Sequence, residues 1–139
     1  MMKSLLILLL AALLALGPGA TVASAANVSD KVRESTEKAA KDYMKHGLIQ
    51  AAEGRHESAV KSFQKAIGLM PNLAEAYSLM GSSYAEMGRF REAEEALRKA
   101  VALKPDYGEG WYYLGLFLKE QRREAEAQEA FRKAKQFGR

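Results

Sequence analysis

The side chains able to do chemistry are few. His46 and His56 are the only histidines in a chain of 139 residues, and there is no cysteine. Without cysteine there can be no disulfide framework, zinc finger or ribbon, iron–sulfur cluster or thiol nucleophile. Gly54 lies between the two histidines, which puts them on different helices, and no further ligands are organised around them, so no shared metal is expected. Ser35, Ser58, Ser62, Ser78, Ser82 and Ser83 have no base at a recognisable spacing, and no glycine-rich loop is present to cradle a phosphate. Asn27-Val28-Ser29 has the pattern of a glycosylation acceptor, which has meaning only in a eukaryotic source. The 21 basic and 17 acidic residues leave a net charge of +4 and are interspersed, with no stripe suited to a phosphate backbone. The composition points to a noncatalytic chain with no cofactor and no nucleic acid as partner.

The elements that position these side chains fall into two parts. Met1, Met2 and Lys3 precede an uninterrupted apolar run from Leu5 to Leu16, followed by Gly17-Pro18-Gly19 and small residues as far as Ala26. A charged start, a short apolar core and small residues form the pattern of a secretory signal peptide. As a helix the run covers about 18 Å at ~1.5 Å per residue, well short of a ~30 Å hydrocarbon core. Ala23-Ser24-Ala25 and Ser24-Ala25-Ala26 both fit a cleavage site, so the cut falls after Ala25 or Ala26, the second being preferred. Residues 1–26 are expected to direct export, to the bacterial periplasm or else outside the cell, leaving no stable membrane insertion once removed. Retention as an anchor is the other reading. No cysteine follows the cut, which excludes a bacterial lipoprotein.

From Asn27 onward, a shift of 34 residues superimposes the chain on itself. It aligns Tyr43, Tyr77 and Trp111; Gly47, Gly81 and Gly115; Ala59, Ala93 and Ala127; Phe63, Leu97 and Phe131; and Ala66, Ala100 and Ala134. Pro71 falls on Pro105. Within one period, Tyr77, Met80, Gly81, Tyr84 and Ala85 follow i, i+3, i+4, i+7, i+8, and Ala93, Ala96, Leu97, Ala100 and Val101 repeat that spacing after Gly88. Six helices are predicted, over about 31–52, 56–69, 73–86, 90–103, 107–121 and 124–136. Ser29 or Asp30 can begin the first, while Asn72 with Glu75 and Asp106 with Glu109 have capping-box spacing for the third and fifth. Glu94 with Arg98 and Glu95 with Lys99 mark a solvated face. One helix pair cannot bury its own apolar face, but three stacked pairs can. The aligned glycines let helices approach closely, and Tyr77, Tyr84 and Trp111 are expected to serve packing.

These aligned positions carry a resemblance to the tetratricopeptide repeat family, whose 34-residue helix–turn–helix unit has its own signature. That signature has a large residue at position 4, a small one at 8, an aromatic at 11, Ala at 20 and 27, an aromatic or Leu at 24, and Pro at 32. On this numbering the repeats are 40–73, 74–107 and 108–139, after an N-terminal extension of the first helix over 27–39. Gln50 and Leu118 depart from the pattern at position 11, and Arg122 stands where Gly54 and Gly88 mark the turn. The third repeat is also short. The resemblance implies an all-α, right-handed α-solenoid of three tandem repeats. It further implies a noncatalytic scaffold that holds a peptide or partner helix in a concave groove lined by the first helix of each repeat.

Through the resemblance, positions 2, 5, 6, 9, 12 and 13 face that groove. The partner-binding candidates are Met44, Leu48, Ser78, Ser82, Tyr112, Tyr113 and Leu116. Met44 and Tyr112 stand foremost, because position 5 needs no more than Ser78 in the second repeat. Family members that grip a C-terminal carboxylate use Lys, Arg and Asn at slots filled here by Met44, Leu48, Leu79, Glu109 and Tyr113, so that ligand is not expected. The occupant is expected to be a segment with apolar and aromatic anchors. The other function class is structural: an envelope subunit or homodimer. Its motive is the last helix, with Ala127, Ala130, Phe131 and Ala134, which no following helix covers. Arg122, Arg123, Glu124, Gln128, Arg132 and Lys135 supply part of a polar outer face for it.

Overall fold

A computed structural model describes residues 18–139. The apolar run Leu5–Leu16 lies outside the described residues. Six α-helices, and no strand, occupy the described part: α1 (Pro18–Ala52), α2 (His56–Leu69), α3 (Ala74–Glu86), α4 (Phe90–Leu103), α5 (Gly108–Glu120) and α6 (Glu124–Gln136). α1 begins well before Ser29 and Asp30, which lie inside it. Pro18 suits a first helical turn, where its missing N–H would have had no helical partner, no further proline follows in the helix, and Gly54 ends it. Two compact units divide within this helix, at Thr36 and Glu37. In the first, Val22, Val28 and Val32 are exposed. Among the described residues no helix is long and apolar enough to cross a membrane.

The second unit holds the three helix pairs, and the same turn closes each. Gly54 N–H donates to the Ala51 carbonyl at 2.9 Å and Arg55 N–H to Gln50 at 2.8 Å. The pattern recurs at Gly88 and Arg89, and again at Arg122 and Arg123. This Schellman arrangement needs one residue in the left-handed region. Gly54 and Gly88 supply it at φ 74° and 72°, whereas Arg122 must adopt φ 59° with a Cβ in place. A left-handed non-glycine residue costs ~1–2 kcal/mol, and glycine's extra freedom in the unfolded chain returns part of that. Arg122→Gly is therefore expected to stabilise the protein by about 0.5–1 kcal/mol, read as a higher urea midpoint at unchanged slope.

Between repeats the expected capping boxes do not form. Asn72 and Asp106 occupy the third position of proline-initiated turns, in which Leu73 N–H reaches the Met70 carbonyl at 3.1 Å and Tyr107 N–H reaches Lys104 at 3.0 Å. The residues at the N-caps are Leu73 and Tyr107, with no side-chain cap bond. An apolar or aromatic residue stands there because it packs back on the preceding repeat.

Small residues oppose large ones in every pair. A Cβ on Gly47 would come within 2.5 Å of the Phe63 ring; on Gly81 it would meet Leu97 at 2.7 Å, and on Gly115 the Phe131 ring at 2.7 Å. Ala59, Ala93 and Ala127, with Ala66, Ala100 and Ala134, are buried on the second helices. One apolar cluster joins Met44, Phe63 and Ala76, and a larger one joins Val60, Tyr84, Leu97, Leu114 and Leu118. Tyr77 and Trp111 are partly buried, but Tyr43 is 36% exposed, since among the described residues no second helix of an earlier pair packs on it.

Candidate functional site

Helices α1, α3 and α5 stand side by side. Met44 of α1 shares a cluster with Ala76 of α3, and α3 packs directly on α5. Long ion pairs link the second helices, such as Arg98 to Glu126 at 3.1 Å between α4 and α6, and Arg89, just before α4, reaches Glu57 of α2 at 3.7 Å. The backbones of α3 and α5 approach each other more closely than those of α4 and α6, which puts the first helices on the inner side of the stack.

Position 5 does not line that face openly. Met44 is 7% exposed and Ser78 fully buried, so the expectation that these two residues present themselves to a partner is corrected. The residue at the N-cap of the next first helix, α3 or α5, covers each of them. Leu73 packs on the cluster containing Met44. Tyr107 lies against Ser78, whose hydroxyl donates to the Glu75 carbonyl at 2.9 Å; burial raises the Tyr107 phenol above its ordinary value, opposed by its hydrogen bond with Ser78. Tyr112 is half-buried for a different reason. Its ring packs on Phe131 at 5.9 Å and Tyr113 at 6.2 Å. The Arg139 guanidinium lies 4.4 Å over the Tyr112 ring while pairing with Glu109 at 3.2 Å. The open residues are those of position 9: Leu48, 43% exposed, and Leu116, 38% exposed, with the partly exposed Ser82 between them. Tyr113 is also partly exposed, whereas Leu79 leans into the first cluster.

The two histidines are not brought together as a site. Gln50 Nε2 donates to His46 Nε2 at 3.1 Å, and Ser62 Oγ donates to Gln50 Oε1 at 2.6 Å. Gln50 and Ser62 are buried. In the next repeat the equivalent residues are Met80, Tyr84 and Ala96. The first repeat thus closes with polar groups a side that later repeats close with apolar ones, and reading Ser62 against Ala96 and Ala130 at the 34-residue period is the signal that finds it. His56 Nδ1 is buried without a partner. Among the described residues no three His, Asp or Glu side chains gather to hold a metal ion. Shallow cavities of about 360 and 380 Å³ lie in the second and third repeats, at the equivalent residues Tyr77 and Trp111, Tyr84 and Leu118, and Lys99 and Lys133. By helical spacing they are on the far side of α3 and α5 from Ser82 and Leu116.

α6 turns its apolar residues inward: Ala127, Ala130 and Ala134 are buried, and Arg132 pairs with Glu129 at 2.7 Å on its exposed side. Arg123 reaches Glu94 of α4 and Glu126 of α6, both at 2.8 Å. Burial alone would raise the Glu94 carboxyl, but hydrogen bonds from Arg123 and Arg98 outweigh it and hold the group below its ordinary 4.5. The hydrogen bond from Arg123 lowers Glu126 in the same sense. Carboxylates depressed in the folded state contribute stability that is present above their unfolded value and lost as pH falls through the folded one. Thermal stability should therefore fall as pH drops below 4.5, and Arg123→Ala should flatten that fall. Both are readable in melting curves between pH 6 and 3 at low salt, since solvent screens such partly exposed pairs.

Stacked antiparallel helix pairs of one period, each locked by a glycine against a large side chain, define an α-helical repeat protein. The chain belongs to the tetratricopeptide repeat family: models described as tetratricopeptide repeat match residues 37–106, just over half of it, and residues 78–139. No curated protein sequence matches it. It is similar in structure to MamA, at 28% identity and a TM-score of 0.64, over 73% of this chain and 59% of that one, so it spans about three-fifths of that protein's length. It is also similar to the second repeat domain of Spaghetti (RPAP3) bound to the HSP90 peptide SRMEEVD, with 18% identity, a TM-score of 0.68, and 77% and 98% of the two chains covered. The repeat domain of Sgt2 from Aspergillus fumigatus has 21% identity and a TM-score of 0.67, over 70% and 65%.

Proposed function

We propose that this protein is an exported, noncatalytic interaction module that holds a polypeptide segment against the inner face of α1, α3 and α5. The observation that carries this reading is the line Leu48, Ser82, Leu116. Two exposed leucines at one repeat position flank a small residue, on the face where repeat packing leaves side chains free. Isolated exposed leucines are ordinary on a protein surface, but leucines recurring in register on a concave face suit a docked segment. A solved structure of this fold is bound to a peptide, which supports the mode of binding. Its ligand need not be shared, because the slots that grip a carboxylate hold Met44, Leu48, Leu79, Glu109 and Tyr113 here. Export rests on the leader, Met1 to Ala26, and the periplasm is the compartment we assign to it.

Capture from the periplasmic fraction of the native cell tests both halves. The retained chain should begin at Ala26 or Asn27, and its partner should be lost in the double variant Leu48→Asp/Leu116→Asp while the circular dichroism spectrum is unchanged. Undiminished capture by the folded double variant removes the groove assignment. Tyr112→Ala should weaken capture less, since Arg139 and Phe131 already cover much of that ring.

A further inference from the structure

The charged residues of the fold are spent unevenly. On the second helices and the turns before them several neutralise one another: Arg89 pairs with Glu92 at 2.8 Å, Arg98 with Glu94 at 2.9 Å and Arg132 with Glu129 at 2.7 Å, while Lys61, Lys65 and Lys99 there are exposed without an ion-pair partner among the described residues. On the inner face, Lys41, Lys45, Glu75 and Glu86 are exposed, and among the described residues none of them has an ion-pair partner. The unpaired charges are also sorted by helix. Lys41 and Lys45 share the face of α1 that carries Leu48; Glu75 and Glu86 share the face of α3 that carries Ser82. Two lysines at i,i+4 repel on a helix; the same spacing recurs at Lys61 and Lys65 on α2, so the sorting of sign between α1 and α3 is what distinguishes the inner face. On α5 the same face is balanced, because Glu109 is taken by Arg139 and Lys119 adjoins Glu120.

We infer that the occupant of the groove is a charge-segregated polypeptide segment, with an acidic stretch against Lys41 and Lys45, basic residues against Glu75 and Glu86, and apolar side chains seated on Leu48 and Leu116. The inference rests on the groove reading above and adds the partner's chemistry. A segment crossing from α1 to α3 meets a field that reverses sign, which favours one direction of binding and rejects the opposite one. Neighbouring helices pack ~8–10 Å apart, so Leu48 and Leu116 are separated by about 20 Å. An extended chain advances ~3.3 Å per residue, which places the two apolar anchors about six residues apart.

A random peptide library displayed against the purified protein is the test, followed by anisotropy titration of a selected peptide and of its charge-reversed counterpart. Selected peptides should carry acidic residues beside one apolar anchor and basic residues before the next. Lys41→Glu/Lys45→Glu should weaken the selected peptide about tenfold, and the charge-reversed peptide should bind that variant better than it binds the native protein. Peptides that need Leu48 and Leu116 yet ignore charge reversal overturn the inference and leave the groove reading standing. Peptides that still bind Leu48→Asp/Leu116→Asp, or a library that yields no binder, overturn the groove reading with it. The substituted positions are exposed, and circular dichroism confirms folding in each variant.

Discussion

Replacing Phe63 with alanine is expected to lower the free energy of unfolding by about 3–5 kcal/mol, a large share of the ~5–15 kcal/mol available to a small domain. Phe63 is fully buried. Its ring fills the space left by Gly47, and the rest of its cluster includes Ala59, Ala66 and Ala76. The small neighbours have no side chain that could swing into the vacated volume, and Met44 of the same cluster fills it only in part, so much of the cavity term remains. The ring also ties α1 to α2 in the repeat that begins the stack. In a quasi-linear array, stability is a sum of units and interfaces. Loss of this contact should therefore strip hydrogen-exchange protection from α1 and α2 before α5 and α6. Urea unfolding at unchanged slope, together with site-resolved exchange, checks both statements; a loss below about 1 kcal/mol with uniform exchange would contradict them.

Gly81→Val is the second large effect, and its sign opposes helix propensity. Valine is the better helix former by a few tenths of a kcal/mol. Yet a Cβ at Gly81 would meet the Leu97 side chain at 2.7 Å and the Ala93 carbonyl oxygen at 3.0 Å. Leu97 is 1% exposed and has little room to yield, and the carbonyl belongs to the backbone of α4. The helices must part, at a cost of about 2–3 kcal/mol. Gly68 is the control: nothing lies within 4 Å of a Cβ there, and Gly68→Ala on α2 should stabilise by roughly 0.5–1 kcal/mol. If the two substitutions moved the urea midpoint in the same direction, close approach would not be the reason for Gly81.

Much of this was legible in the residues. The starts of α2, α4 and α6 at His56, Phe90 and Glu124 agree with the periodicity, because a glycine, or Arg122 in its place, leaves each preceding helix by the same local turn. The 34-residue register aligns Gly47, Gly81 and Gly115, and Phe63, Leu97 and Phe131, but packing decides that each glycine meets the large residue of its own repeat. The candidate site was legible only in part. Leu48, Ser82 and Leu116 keep the exposure that their position implies, while Met44 and Ser78 do not.

The amino-acid sequence alone determined the all-α class, the period and the family, since each depends on residues within a turn or a helix pair of one another. Only the tertiary structure decided which side chains the groove keeps. Leu73, the N-cap of α3, covers Met44; Tyr107, the N-cap of α5, covers Ser78; Arg139 reaches back to Tyr112. The same holds for Asn72 and Asp106, whose turns spend them at the third position so that an apolar residue can begin the helix. Helical periodicity reports which face of a helix is buried against its own partner. Exposure on the remaining faces is set by the N-cap of the next first helix some thirty residues along the chain, and no local pattern records where that side chain comes to rest.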